Sequence, residues 1–216
     1  MSTQFEAINS LEFPQLTFLK THLEGHAGFI AGGCFKNIFE KNKIKDIDMF
    51  FKSQEHFDAA VRFFTDNSEY ESVYETNSVM AFRHHDSELI VECVKSRFGD
   101  VPTILNMFDF TVTKFALVSD SAKPTGLEIL LDDVEPPESH SAIYHPKFFE
   151  HLVLRRAVID DNLLLPFSTF NRALRYAKYG YTLCKDSRLK LIDAMKITEL
   201  PEDLDEAFAS LYEGID

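Results

Sequence analysis

Tryptophan is absent from the 216 residues, and cysteine is nearly so. Cys34, Cys93 and Cys184 lie far apart, with no C-x-x-C pair. That scatter excludes an even disulfide framework and predicts reduced thiols in a cytoplasmic protein. No apolar run reaches the roughly 18–20 residues that span a bilayer, so no membrane partner is expected. The first residues, Met1 to Glu6, lack the basic region and apolar stretch of a signal peptide. The eight histidines show no H-x-x-x-H or zinc spacing, and His84 and His85 read as turn residues. Positive charge is also short: 22 Lys and Arg stand against 35 Asp and Glu, a formal net charge of −13. Such a balance disfavours broad, nonspecific adhesion to nucleic acid, although a local basic surface remains compatible with it. Seven of the acids fall between residues 199 and 216, where there is no Lys or Arg, which reads as a solvated acidic tail.

What is present describes a globular chain with a substantial core: 45% hydrophobic residues, among them 21 phenylalanines. The length fits one large domain, or a core domain with a small appendage. Apolar spacing predicts a helix from Ser10 to Leu23, a buried strand at Gly28–Ala31 ended by Gly32-Gly33, and a helix from Cys34 to Lys41. A strand from Lys43 to Phe51 follows. Ser53 reads as the N-cap of a helix whose Phe57, Ala60, Val61 and Phe64 share one face. Val73–Arg83 and Leu89–Lys95 read as two strands joined at His84–Ser87, and Pro102 opens a short helix. Asp109–Val118 reads as a strand and Ser121–Pro137 as a loop. Helices dominate beyond His145, chiefly Ser168–Cys184 and Ser187–Lys196. No repeat or low-complexity segment interrupts this order.

The segment that carries chemistry is Gly32-Gly33, twelve residues, then Asp46-Ile47-Asp48. On a strand, residues i and i+2 point to the same side, so the two aspartates project together while Ile47, Met49 and Phe51 enter a core. Two like charges at that spacing repel unless a cation lies between them. A Mg²⁺ site needs few protein carboxylates when phosphates supply the other oxygens. Glycines after a strand let backbone N–H groups approach phosphate, and the following helix presents its positive end.

Ile30 to Asn37, followed by Lys45-Asp46-Ile47-Asp48-Met49, resembles the signature of tRNA nucleotidyltransferases and bacterial poly(A) polymerases in the DNA polymerase β superfamily. Three further stretches resemble that family in the same order: Ile90 to Arg97, Phe108 to Val112, and Asn171 to Ala177. The resemblance spans about residues 28 to 185. It implies an α+β fold, with a nucleotidyltransferase-type mixed sheet flanked by helices and followed by a small helical C-terminal part. The corresponding division is a catalytic domain over 1–137 and a neck-like helical domain with an acidic tail over 138–216.

The implied activity is metal-dependent transfer of a nucleoside monophosphate from a nucleoside triphosphate to an acceptor hydroxyl. An RNA 3′ end, tRNA-like, is the leading acceptor. Asp46, Asp48 and Glu92 would be the catalytic, metal-binding acids, with Mg²⁺ or alternatively Mn²⁺. Gly32, Gly33 and Lys36 would contact the triphosphate, and Arg97 and Asp109 would shape the site. Lys36-Asn37 stands where the family has Arg-Asp, and Phe108 where it has Arg before D-F-T. At 100° per residue, Arg172, Arg175, Tyr176 and Tyr179 gather on one face of the C-terminal helix, where arginines can hold phosphate and a tyrosine can stack a base. That face reads otherwise as the solvated side of an ordinary amphipathic helix. Rival readings keep the chemistry but change the acceptor to a protein or small molecule, or make the chain a noncatalytic binding protein.

Overall fold

The structure, a computed structural model, describes residues 5–120, 139–160 and 163–198. It is built on an eight-stranded mixed sheet with helices on both sides, the α+β architecture expected. In chain order, β1 (Glu6–Asn9) leads through 3₁₀ turns to β2 (Phe29–Ala31), α1 (Cys34–Phe39), β3 (Asp46–Phe51) and α2 (Gln54–Asp66). Next come β4 (Tyr70–Glu75), β5 (Val79–His84), β6 (Ile90–Phe98), α3 (Val101–Met107), β7 (Phe115–Ser119) and β8 (His140–Tyr144). The C-terminal part comprises α4 (Phe148–Val153), β9 (Arg156–Ala157), α5 (Pro166–Lys178), β10 (Thr182–Leu183) and α6 (Lys185–Ile197). The strand order is β1-β8-β7-β2-β3-β6-β5-β4; β3 and β6 run parallel and the other neighbours antiparallel.

Alternation along the central strands divides the core in two. Ile47, Met49, Phe51, Val91 and Cys93 pack with Phe57, Ala60 and Phe64 of α2 and with Leu16, Leu19 and Leu23. On the other face, Phe50, Val79 and Val94 lie with Val101, Ile104 and Leu105 of α3. On β3 that second face is buried at Phe50 and open at Asp46 and Asp48. Ser53 caps α2, its hydroxyl accepting the His56 N–H at 3.5 Å, and Asp100 caps α3, accepting from Thr103 at 2.9 Å.

Four expectations give way. The Ser10–Leu23 segment forms 3₁₀ turns at Ser10–Glu12 and Pro14–Leu23, because Leu16, Leu19 and His22 recur every three residues, the 3₁₀ period. Leu11 is left exposed. Val73–Arg83 is a hairpin rather than one strand: the Thr76 hydroxyl accepts the N–H groups of Ser78 (3.1 Å) and Val79 (3.2 Å) and turns the chain. A 3₁₀ turn at Thr111–Thr113 interrupts Asp109–Val118, with the Thr113 hydroxyl donating to the Phe110 carbonyl at 2.8 Å. The Ser168–Cys184 helix ends at Lys178, where Gly180 adopts φ +85° and reverses the chain. The loop read at Ser121–Pro137, the division between 137 and 138, and the acidic tail lie outside the described residues. β8, beyond that division, belongs to the main sheet.

Candidate active-site cleft

Asp46 and Asp48 open β3, and their neighbour Ile47 is 1% exposed on the opposite face. β6 runs parallel beside them, with Glu92 directly across from Asp48. The same row continues outward: Glu92 pairs with Ala81 of β5, and Ala81 with Tyr74 of β4. A bulge between Ser72 and Tyr74 sets this register, so Tyr74 rather than Val73 lies opposite Ala81. The small Ala81 side chain leaves room above it, and the Tyr74 hydroxyl reaches across to donate to Glu92. Burial, that hydrogen bond and the charges of Glu92, Asp46 and Asp48 all push the phenol's pKa up. Three carboxylates and one protonated phenol therefore share a patch. Cys34 borders it, and burial together with Asp48 and Asp46 keeps it a neutral thiol.

The patch opens into a cleft of about 900 Å³, within the size range of small-molecule sites. Gly33 and Lys36 line it from the α1 side, and Arg175 and Tyr179 from α5. Gly32 sits just behind: its φ of +110° swings the chain out of β2, and its N–H donates to Phe115 at 3.1 Å. α1 has only six residues, so the expected helix-end field is small.

Lys36 lies in the wall rather than the open space. Its ammonium donates to Asn37 Oδ1 at 2.6 Å and Glu40 Oε2 at 3.5 Å, and the rings of Tyr176, Tyr179 and Tyr181 surround it at 5.3–5.6 Å. Burial lowers its pKa, and Glu40 opposes that shift. Glu40 also accepts from Tyr181 at 2.6 Å and pairs with Arg155 at 3.0 Å, tying the C-terminal part to the sheet.

Arg97, Asp109 and Arg172 are brought together elsewhere. They line a separate pocket of about 30 Å³, which shares Tyr176 with the cleft and has room for about one water. Within it Arg172 Nε donates to Asp109 Oδ2 at 2.6 Å. The α5 face carrying Arg172 and Tyr176, expected to be a binding or solvated face, thus turns inward, while the apolar Phe170 and Leu174 are 43% and 52% exposed. The anionic partners Asp109 and Glu40 account for the inversion. Tyr74, Glu40 and Tyr181 were absent from the sequence reading of the site; the Thr76-Asn77-Ser78 turn is the signal that exposes Tyr74.

Asp46 and Asp48 offer the hard oxygen donors that Mg²⁺ takes when phosphate and water complete its shell. Among the described residues, no group of three or more His, Cys, Asp or Glu side chains is arranged to hold a metal. The aspartate pair lies on one face of β3, with Glu92 in register beside Asp48 and accepting a hydrogen bond from Tyr74.

A sheet of this topology with acids at this position has the nucleotidyltransferase fold. Solved structures that share it include a CCA-adding enzyme in complex with CTP (TM-score 0.56, 14% identity, covering 88% of this chain and 46% of that one). Another is the Thermotoga maritima CCA-adding enzyme complexed with tRNA (TM-score 0.54, 15% identity, covering 91% and 46%). The chain itself belongs to the Gabija anti-defense 2 family, whose model matches residues 6–155. A curated relative, Gabija anti-defense 2 of Bacillus phage SPbetaL7, is 24% identical over 98% of this chain. The chain spans 48% of that relative's length. Among the described residues, no helix is long and apolar enough to cross a membrane.

Proposed function

We propose that this chain transfers a nucleoside monophosphate from a nucleoside triphosphate to an acceptor hydroxyl. The observation that carries the reading is Asp48 and Glu92 in register on adjacent parallel strands, with Asp46 on the same face of the same cleft. Asp46 and Asp48 would hold Mg²⁺, or Mn²⁺, which supplies charge neutralisation at the phosphates when bound. Gly33 presents backbone to the triphosphate from the α1 side. Lys36 contributes positive potential from within its ring of tyrosines. Glu92 accepts the acceptor's proton, a role that requires hydrogen-bond contact with that hydroxyl. Tyr179 and Arg175 form the opposite wall, where a base can stack.

An RNA acceptor loses part of its support, because Arg172, expected to hold phosphate, is committed to Asp109, and the nearby Arg155 to Glu40. A protein acceptor suits the acidic chain better. We infer that such transfer serves the opposition to Gabija defence named in the relative's description. A noncatalytic, nucleotide-binding reading draws on the engagement of Glu92 by Tyr74. The discriminating experiment supplies each α-labelled triphosphate with Mg²⁺ in the presence of total RNA and, separately, of host protein extract. Label in a macromolecule supports transfer and identifies the acceptor class; triphosphate binding without label anywhere supports the noncatalytic reading.

A further inference from the structure

We propose that the protein carries an acceptor of its own, the Tyr74 hydroxyl, and that the reaction leaves a nucleotide on this tyrosine through a phosphodiester. The proposal rests on the reading of the cleft as a nucleotidyltransferase site. An acceptor hydroxyl must donate its hydrogen bond to the base that takes its proton, and that bond to Glu92 is already made by Tyr74. Thr76 and Ser78 also line this side of the cleft; the Thr76 oxygen is engaged by the backbone N–H groups of Ser78 and Val79, and the hydroxyl that donates to Glu92 is that of Tyr74.

The order of elements across the sheet supports the same assignment. Gly33 and α1 follow β2, which lies beside β3; then come β6, β5 and β4. The phosphate-facing residues and Tyr74 consequently stand on opposite sides of the aspartates. Displacement at phosphorus places the attacking and leaving oxygens in line, so a triphosphate held toward α1 presents its α-phosphorus to an attack from the Tyr74 side. The β4 bulge is the device that aims the tyrosine: bulges beside active sites redirect a side chain, and this one puts Tyr74 in the acid row. The side chain lies on an edge strand and is 38% exposed, which leaves space for a substituent on its oxygen.

In the step, the phenolic oxygen forms a bond to the α-phosphorus. The bond between that phosphorus and the oxygen bridging to the β-phosphate breaks. Pyrophosphate leaves with the electron pair, and the phenolic proton passes to Glu92. A phenol attacks as its proton leaves, so a base in contact is needed, and Glu92 is that contact. Modification ends the hydrogen bond to Glu92, and the reaction stops at one nucleotide per chain.

The test uses the purified full chain with each of the four α-labelled nucleoside triphosphates and Mg²⁺, in parallel with Mn²⁺, and no other macromolecule. Intact mass is read first on the protein as purified, before and after phosphodiesterase treatment, so that a chain already modified is recognised. Peptide mapping then locates the label, and thermal shift with Mg²⁺-triphosphate reports binding by the wild type, Tyr74→Phe and Glu92→Gln. One nucleoside monophosphate on Tyr74 is expected, absent from Tyr74→Phe and formed at least about a hundredfold more slowly by Glu92→Gln. Label on any other residue, or triphosphate binding by a wild type that never becomes labelled, overturns the proposal while leaving the transfer reading to its own test. A wild type that neither binds nor becomes labelled overturns both.

Discussion

The two faces of β3 put opposite demands on one strand. Ile47, Met49 and Phe51 are at most 1% exposed and sit in a core rich in phenylalanine, where Phe51 meets Phe57 edge to face at 5.6 Å and Phe64 stacks on Phe82 at 5.3 Å. Asp46 and Asp48 alternate with them and open into the cleft beside Glu92. The closed face stabilises the fold by removing apolar area from water. At Asp46 and Asp48 the open face adds like-charge repulsion, and only at Phe50 does it enter the second core. Stability and chemistry are separated by a rotation of one residue, so substitutions one position apart should have unlike consequences.

Asp48→Ala gives the largest expected effect on the open face. Loss of an acid from the pair should slow transfer by at least about a thousandfold, roughly 4 kcal/mol in the barrier. Without metal, relief of repulsion should leave the melting temperature unchanged or higher. Labelled-nucleotide transfer and thermal denaturation of the same preparation measure the two halves. A fall in melting temperature comparable to a core substitution would erase the distinction between the faces.

Met49→Ala is the mirror experiment. The side chain is fully buried, and truncating it should cost about 3 kcal/mol of stability through lost transfer energy and a residual cavity. Triphosphate binding per folded molecule should be retained, because the side chain points away from the cleft. Denaturant titration gives the stability, and binding measured well below the transition gives the other half. Loss of binding in a fully folded Met49→Ala would show that the two faces are coupled.

The closed side also holds a pH-sensitive group. His22 donates to or accepts from the Tyr70 hydroxyl at 2.8 Å, and burial, then His84 and His26, bring its pKa down to about 4. His26 lies against Phe51, Phe63 and Phe64, and burial brings it to about 4 as well, opposed by its hydrogen bond to the His22 carbonyl. Both are neutral in the folded state, whereas unfolded histidine takes a proton near 6.5. Their stabilisation is therefore fully present above about pH 6.5 and lost as pH falls toward 4, on the order of 3 kcal/mol for each histidine. Melting temperature followed from pH 7 to 4 should drop, and His26→Phe should flatten the slope by about one proton. An unchanged slope in that variant would place the acid sensitivity elsewhere.

The features that were legible in the sequence are local. The aspartate spacing, the glycine pair that ends β2 and the Ser53 cap each depend on a few consecutive residues, and each falls where it was expected. The features that were missed depend on partners far along the chain. Arg172 meets Asp109 across 63 positions and Tyr181 meets Glu40 across 141, so helix periodicity alone turned α5 the wrong way round. Tyr74 was hidden for a different reason: β-formers on both sides of Thr76 masked the turn, and the bulge that aims the tyrosine exists only against β5.

The smallest expected effect tests that inversion directly. A helix read by hydrophobicity alone places Leu174 inward, and Leu174→Ser should then cost the 2 kcal/mol or more of a core truncation. In the structure Leu174 is 52% exposed, while Tyr176, two positions on, is 6% exposed and packs on Phe110 at 5.1 Å and Tyr181 at 5.5 Å. Serine at 174 removes little buried area and adds a hydroxyl that water can satisfy, so the change should stay within about 0.5 kcal/mol. Denaturant midpoints of wild type and Leu174→Ser, compared at unchanged slope, supply the measurement. A loss of 2 kcal/mol would mean that Leu174 is covered in solution, and the inward orientation of the Arg172–Tyr176 face would fall with it.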